Sequence, residues 1–199
     1  MPAHVDLYVS PLALIHSNPS LRFGVEVKPA NRWSFGAAVG LGDDPTTQWL
    51  MQNDKRTAYV LREIRPEVKY YWHQWYDLAA YFSLEGIYSK TSYTNRDATY
   101  SHSSTEQIRF EKASFRKSKI AGLAKIGIKC LIGRKLSLDL YSGVGLARTV
   151  VRYSDLVNPT LESYDPISII FEREDYYSGI HFMPQFVVGL KLGLSAWRR

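Results

Sequence analysis

The amino-acid sequence predicts an all-β fold, an eight-stranded antiparallel up-and-down transmembrane β-barrel. Apolar and polar residues alternate along almost the entire chain, and no segment keeps a helical period. The alternating segments are long, and the connections between them are short at one end of the strands and long at the other. The 199 residues form one predicted domain, 1–199, and contain no run of about 20 apolar residues of the kind a membrane helix needs.

The eight predicted strands follow from this alternation and from the turn residues that interrupt it. Strands of soluble sheets usually have about five or six residues, whereas strands of about ten or more suit a tilted crossing of a bilayer. Most of the predicted strands belong to the longer class. They are Val5–Ile15, Leu21–Lys28, Arg32–Gly42, Thr57–His73, Tyr76–Tyr93, Gln107–Ile132, Lys135–Tyr153 and His181–Leu194.

The connections indicate which strand ends lie together. Tight turns rich in Gly, Asn, Pro or polar residues are predicted at 29–31, 74–75 and 133–134. Long polar loops at 43–56, 94–106 and 154–180 all fall at the opposite end, beside one short link at 16–19. Short turns at one end and longer loops at the other are typical of transmembrane barrels.

Each strand has an apolar face and a polar face. The apolar face is clearest in the third, sixth, seventh and eighth strands, for example at Phe35, Ile126, Leu138 and Val188. The opposite face mixes charged residues with many glycines and alanines, a composition that suits a narrow interior better than a water-facing wall. We therefore expect the polar face to point inward and the apolar face to contact lipid. A soluble ligand-carrying barrel, with the faces reversed, remains the alternative.

Charges of both signs lie on the polar face, where they are expected to pair because buried charges need partners. We expect a structural charge network inside the barrel, since an eight-stranded barrel has room only for side chains. A small gated pore lined by these charges remains possible. The predicted network comprises Glu26, Arg65, Glu67, Lys69, Glu85, Lys125 and Asp139, and a wider set of candidates adds Arg22, Lys28, Glu63, Asp77, Lys119, Lys129 and Lys191.

Aromatic residues cluster near both ends of the predicted strands, where membrane interfaces favour Trp and Tyr. This pattern predicts two belts on the outer surface. The belt beside the tight turns contains Trp33, Tyr70, Tyr71, Trp72, Trp75, Tyr76 and Trp197, and the belt beside the long loops contains Tyr88, Tyr93, Tyr153 and Tyr177.

Charge and cysteine content narrow the function classes. The formal net charge is +6, but Lys and Arg are scattered along the strands, so we expect no nucleic-acid partner. The single Cys130 excludes an internal disulfide. The segment Met1–His4 does not resemble a secretory leader, so an exported form is expected to have lost its leader.

The final strand, Gly189–Leu194, places a Gly before spaced hydrophobic residues and resembles the assembly signal of bacterial outer-membrane barrels. From Val5 to Leu194 the chain resembles the small barrels of Gram-negative bacteria, of the OmpX type and the OmpA transmembrane-domain type. The segments Leu21–Glu26 and Arg65–Tyr71 also look like uncharacterised families of predicted outer-membrane barrels. The resemblance implies the bacterial outer membrane, contact with its lipid and lipopolysaccharide, and insertion by the barrel-assembly machinery.

Catalytic motifs are weak in this sequence. His102 and Ser104 have the spacing of the His-x-Ser pair of the lipid A deacylases, which the architecture resembles, and Glu106 is nearby. However, they lie in a predicted loop, which does not hold a nucleophile and its base rigidly. No cofactor motif or metal-ligand spacing is present, and acidic residues at 43–44 and 172–175 are expected to be solvated.

The sequence therefore favours a non-enzymatic outer-membrane barrel without a cofactor. Its long loops are expected to serve surface contact or envelope integrity with a partner that is unknown. A soluble ligand-carrying barrel and a barrel enzyme that modifies lipid A are the alternatives.

Overall fold

A computed structural model describes residues 4–14, 18–29, 32–44, 56–101, 106–133, 135–163 and 178–198. Nine strands and one short 3-10 helix, Pro11–Ala13, make up this part of the chain. No helix within these ranges is long and apolar enough to cross a membrane. The strands are β1 His4–Val9, β2 Leu21–Lys28, β3 Trp33–Asp43, β4 Arg56–Gln74, β5 Leu78–Ser101, β6 Glu106–Ile132, β7 Leu136–Val157, β8 Thr160–Ser163 and β9 Gly179–Arg198.

All nine strands belong to one antiparallel sheet that closes in a ring, which confirms the predicted all-β antiparallel fold. Eight strands form the ring in the order β1, β2, β3, β4, β5, β6, β7, β9, and β9 pairs with β1 to close it. The short β8 pairs only with the beginning of β6 among the described strands. Neighbours along the chain are therefore neighbours in the ring, as the up-and-down topology requires.

The ring strands differ greatly in length, and several predicted boundaries were wrong. The first strand was expected to reach Ile15 but ends at Val9, because Pro11 has no N–H for a ladder and begins the 3-10 helix instead. The Ser10 N–H still donates to the Arg22 carbonyl at 3.0 Å, which ends the β1–β2 ladder.

The second wrong boundary concerns the predicted loop at 94–106. Most of this segment continues the β5–β6 hairpin, whose paired residues run from Leu78 with Cys130 to Ser101 with Gln107. Part of the predicted loop at 154–180 is also strand, at the end of β7 and in β8, while residues 164–177 lie outside the described ranges. Almost all of the predicted loop at 43–56 lies outside them as well. The hairpin and β7 thus rise well beyond β1, β2 and β3.

The two faces of the ring carry opposite chemistry. Side chains that point outward are mostly apolar, with exposed fractions of 71% for Leu146, 81% for Phe186 and 77% for Val188. Side chains that point inward include Glu67, Lys129 and many other charged residues that are almost fully buried. This distribution is the reverse of that in an ordinary water-soluble protein.

The predicted aromatic belts are correct for some residues and wrong for others. Beside the tight turns, Trp33, Trp72, Trp75 and Tyr76 are exposed on the outer surface, whereas Tyr71 is buried inside the ring. Beside the other end, Tyr88 is exposed, but Tyr93 and Tyr153 pack into an internal cluster. The reason is strand parity, because Tyr71, Tyr93 and Tyr153 share the inward face of their strands with charged residues. Tyr177 and the side chain of Trp197 lie outside the described part.

Candidate functional site

The interior of the ring is the candidate site, because buried polar side chains from every ring strand point into it, and most of them are ionisable. Alternation within the strands aims these side chains at one another across a narrow space. Glycines provide part of the room: a Cβ added at Gly189 would lie 2.0 Å from the Cζ atom of Tyr141, and one at Gly24 would lie 2.2 Å from the Cζ atom of Tyr8. Each tyrosine ring thus covers a glycine of the neighbouring strand.

The first group of charges, the turn-end cluster, lies at the end of the ring that carries the tight turns. Lys69 lies at its centre, with its Nζ 2.8 Å from Glu26 Oε2 and 2.6 Å from Asp139 Oδ2. Lys129 Nζ contacts Asp6 Oδ2 at 2.6 Å and Glu26 Oε2 at 3.2 Å. The side chains in these pairs are at most 4% exposed, so every charge in the turn-end cluster depends on its neighbours for stabilisation.

Hydroxyl groups complete the turn-end cluster. Tyr71 Oη and Ser34 Oγ donate to Glu26 Oε1 at 2.6 Å and 2.9 Å, and Tyr81 Oη donates to Asp139 Oδ1 at 2.5 Å. The Lys69 ammonium also lies 4.4 Å from the centre of the Tyr81 ring. Both oxygens of Glu26 and of Asp139 therefore have partners, as a buried polar network requires.

The second group, the mid-wall cluster, lies further along the interior. Glu67 is flanked by Lys125 Nζ at 2.6 Å and Lys191 Nζ at 2.5 Å, and Lys125 also contacts Glu85 Oε1 at 3.2 Å. The remaining pairs join Glu85 to Arg65 at 2.7 Å, Arg65 to Glu63 at 3.5 Å, and Glu63 to Arg22 at 2.9 Å.

All seven residues of the predicted network point into the ring, and each makes at least one ion pair. Among the wider candidates, Lys28, Lys129 and Lys191 are also buried there. Asp77 was wrongly assigned to the interior: it is exposed in the turn between β4 and β5, where the pleat no longer sets its direction. Asp6 was missed, although its even position in β1 places it beside Tyr8 on the inward face.

A cavity of about 590 Å³ lies beside the mid-wall cluster. We call it the basic cavity, because five cationic residues line it, Arg22, Arg56, Arg65, Lys117 and Lys119, while Glu63 is the one carboxylate among its described lining residues. The hydroxyl side chains of Ser89 and Thr91 also face it. The arrangement has the charge and size to hold a small anionic group.

Aromatic side chains fill the extended end beyond the cavity. Tyr93 stacks on Phe115 with ring centroids 4.3 Å apart, and Tyr153 stacks on Tyr100 at 4.4 Å. Phe115 also lies 5.2 Å from Tyr153, edge to face, and this contact joins the two stacks into one aromatic cluster, with Phe110 5.9 Å from Tyr153. The cluster holds the far part of β5, β6 and β7 in strand form, although much of that sequence is polar.

The catalytic and metal-binding candidates of the sequence lie partly inside and partly outside the described residues. No group of three or more His, Cys, Asp or Glu side chains there is placed to hold a metal ion. His73 is exposed and lies 4.0 Å from the ring of Trp75. Residues 102–104, which carry the His-x-Ser spacing, and 172–175 lie outside the described ranges.

Comparison with known proteins identifies no relative of this chain. No family model matches it, and no curated protein or solved structure shows significant similarity. The geometry of the interior and of the wall therefore provides the basis for any functional assignment.

Proposed function

We propose that this chain is a non-enzymatic outer-membrane β-barrel protein of bacteria, with eight transmembrane strands and an interior closed by ion pairs. Its extended end, formed by the far parts of β5, β6 and β7 with β8, projects beyond the membrane. This projection provides a contact surface for a partner at the cell surface or within the envelope.

The inside-out distribution of side chains carries this proposal. Large apolar residues cover the outer wall, and Phe182, Phe186 and Val188 of β9 are each more than three-quarters exposed. Water does not favour such a continuous apolar band, whereas the hydrocarbon core of a bilayer does. Exposed Trp33, Trp72, Trp75 and Tyr76 form a rim at the tight-turn end, as expected where strands meet the lipid headgroups.

Because ion pairs fill the interior, a structural scaffold is favoured as the function in preference to an open channel. The turn-end and mid-wall clusters together connect side chains of seven ring strands through short ion pairs, and Ser34 of β3 joins them by a hydrogen bond to Glu26. A soluble ligand-carrying barrel would instead place Leu138 and Ile126 inside, but Ile126 is 48% exposed on the outer wall. We therefore favour the membrane protein over the soluble alternative.

The first experiment tests the membrane environment. Refolded chain is examined by circular dichroism and by heat-modifiable gel mobility, with and without micelles of a neutral detergent. We expect strand signal and a heat-modifiable band only with micelles. A folded, monodisperse protein in buffer alone would contradict the proposal.

A substitution then tests the orientation of the wall. Ile126→Arg places a charge on the apolar band and is expected to reduce the free energy of folding into bilayers by about 2–4 kcal/mol. The matched control is Leu161→Arg in β8, where the leucine is 69% exposed but belongs to the extended end. Urea titration in phospholipid vesicles compares the two variants. Equal stability of both variants would count against the proposed membrane span.

A further inference from the structure

The closing strand β9 is paired on both edges over only part of its length. β1 pairs with β9 from Val9 with Leu192 to His4 with Arg198, whereas β7 pairs with β9 as far as Gly179. Within the described residues, the stretch Gly179–Lys191 therefore has a ladder on its β7 side alone. Pro184 lies in this stretch, in keeping with the confinement of proline to strand edges.

This edge opens onto the basic cavity. The cavity is lined by residues 184–190 of β9 on one side and by Leu12, Ala13 and Asn18, near the 3-10 helix, on the other. We call the gap between these two borders the lateral window. Phe186 and Val188 line this cavity and are also exposed on the outer wall, so the lateral window connects the interior of the ring with its outer surface.

The lateral window joins two chemically different surfaces. On its inner side the basic cavity presents Arg22, Lys117 and Lys119 together with hydroxyl groups. On its outer side Phe186 and Val188 are 81% and 77% exposed and belong to the apolar band of the wall. A ligand that fits both sides has an anionic head and an apolar tail.

The surroundings make such a ligand energetically favourable. In the hydrocarbon region, the N–H and C=O groups of an open strand edge cost several kcal/mol each if nothing binds them. The oxygen atoms of a phosphate or carboxylate accept hydrogen bonds from N–H groups and from Arg and Lys side chains. The volume of about 590 Å³ lies within the usual range for a small-molecule site.

We propose that the lateral window admits an anionic lipid from the surrounding bilayer. The headgroup, a phosphate or a carboxylate, occupies the basic cavity, and the acyl chain remains outside against Phe186 and Val188. This inference rests on the proposed membrane function, and it adds a ligand class and a route of entry to it.

The test uses the full chain refolded in neutral-detergent micelles. Lyso-phosphatidylglycerol is titrated by isothermal calorimetry, and lyso-phosphatidylcholine serves as the zwitterionic lipid with the same kind of tail. We expect saturable binding of one anionic lipid per chain, about ten-fold tighter than the zwitterionic lipid. Palmitate in a parallel titration distinguishes carboxylate from phosphate, and binding of either anionic lipid supports the inference.

Two variants locate the site. Lys117→Gln with Lys119→Gln removes two charges from the cavity and is expected to abolish the ten-fold preference. Lys90→Gln with Lys112→Gln removes two charges from exposed positions and is expected to preserve it. Val187→Trp, which fills the cavity from β9, is expected to prevent binding while the heat-modifiable band persists.

Three results would overturn the inference. These are equal affinity for the two lysolipids, an equal loss in the two double variants, and equally tight binding of inorganic phosphate alone. If they occur in a chain that folds only in micelles, the proposed membrane function stands without the lipid site. A chain that folds in buffer alone would overturn both.

Discussion

The ion pairs of Lys69 provide the sharpest test of the interior. Lys69→Met keeps most of the volume of the side chain but leaves Glu26 and Asp139 without their shared cation. The Lys69 side chain is 2% exposed and its two contacts are 2.8 Å and 2.6 Å long. At an effective dielectric constant of about 20, each contact is worth about 6 kcal/mol of Coulomb energy.

The expected loss of stability is smaller than this sum, because burial of the ammonium already costs several kcal/mol. Glu26 also keeps Lys129 at 3.2 Å and two hydroxyl donors, whereas Asp139 keeps the hydroxyl of Tyr81. Asp139 therefore suffers most from the change. We expect Lys69→Met to lower the free energy of unfolding by about 3–5 kcal/mol, the usual cost of breaking a buried pair from one side.

A double-mutant cycle separates the ion pair from general damage to the interior. Asp139→Asn removes the orphaned charge, so the double variant is expected to be more stable than Lys69→Met alone. Lys112→Met, at an exposed position of β6, serves as the control and is expected to change stability by less than about 0.5 kcal/mol. Urea unfolding in micelles or vesicles, followed by tryptophan fluorescence, gives the free energies. A Lys69→Met variant within about 1 kcal/mol of the wild type, or no recovery on adding Asp139→Asn, would refute the reasoning.

Two further predictions concern packing. Phe115→Ala removes a side chain that is 1% exposed and stacked on Tyr93, so the free energy of unfolding is expected to fall locally by about 3–5 kcal/mol. Amide hydrogen exchange should become faster in the extended end. Unchanged protection there would contradict the role of the aromatic cluster. Gly189→Ala forces a methyl group into the ring of Tyr141 and should cost about 1–3 kcal/mol. Gly122→Ala, where an added Cβ meets nothing within 4 Å, is the matched control, and equal melting temperatures for these two alanine variants would show that the interior is not tightly packed.

Period-two alternation was sufficient to place all seven residues of the predicted network on one face. Glu67 and Lys69 share a face because they are two positions apart on one strand, and the glycine-rich character of that face indicated the interior. The partners could not be predicted in the same way. Lys69 meets Glu26 and Asp139 only because the registers of several ladders bring distant positions of the chain together, and alternation does not encode register.

The inward direction of Tyr71 and Tyr93 follows from their positions along the strands. Tyr71 was assigned to the outer belt from its position near a turn, yet it has the same parity as Lys69 and therefore points inward. Tyr93 likewise has the same parity as Glu85 in β5 and therefore also points inward. Parity along a strand is thus a better guide to direction than nearness to the strand end.

The extended hairpin could not be predicted from local composition. Residues 94–101 are rich in Thr, Asn, Arg and Ser, a composition that is typical of loops. They remain in strand form because Tyr100, Phe110 and Tyr153 pack against one another on one side of the sheet. Those contacts join β5, β6 and β7, and tertiary packing of this kind outweighs local propensity.

The unequal ladders also imply an order of events during folding. The β5–β6 hairpin has twenty-three paired positions between strands that follow each other in the chain, whereas the β1–β9 seam has only six pairs and joins the two ends of the chain. Contacts between distant segments form late, since closing a large loop costs entropy before any bond is gained. The β1–β9 pairing is therefore expected to form last during assembly and to open first when the ring is pulled apart. The pairing that forms last is thus also the weakest in the ring.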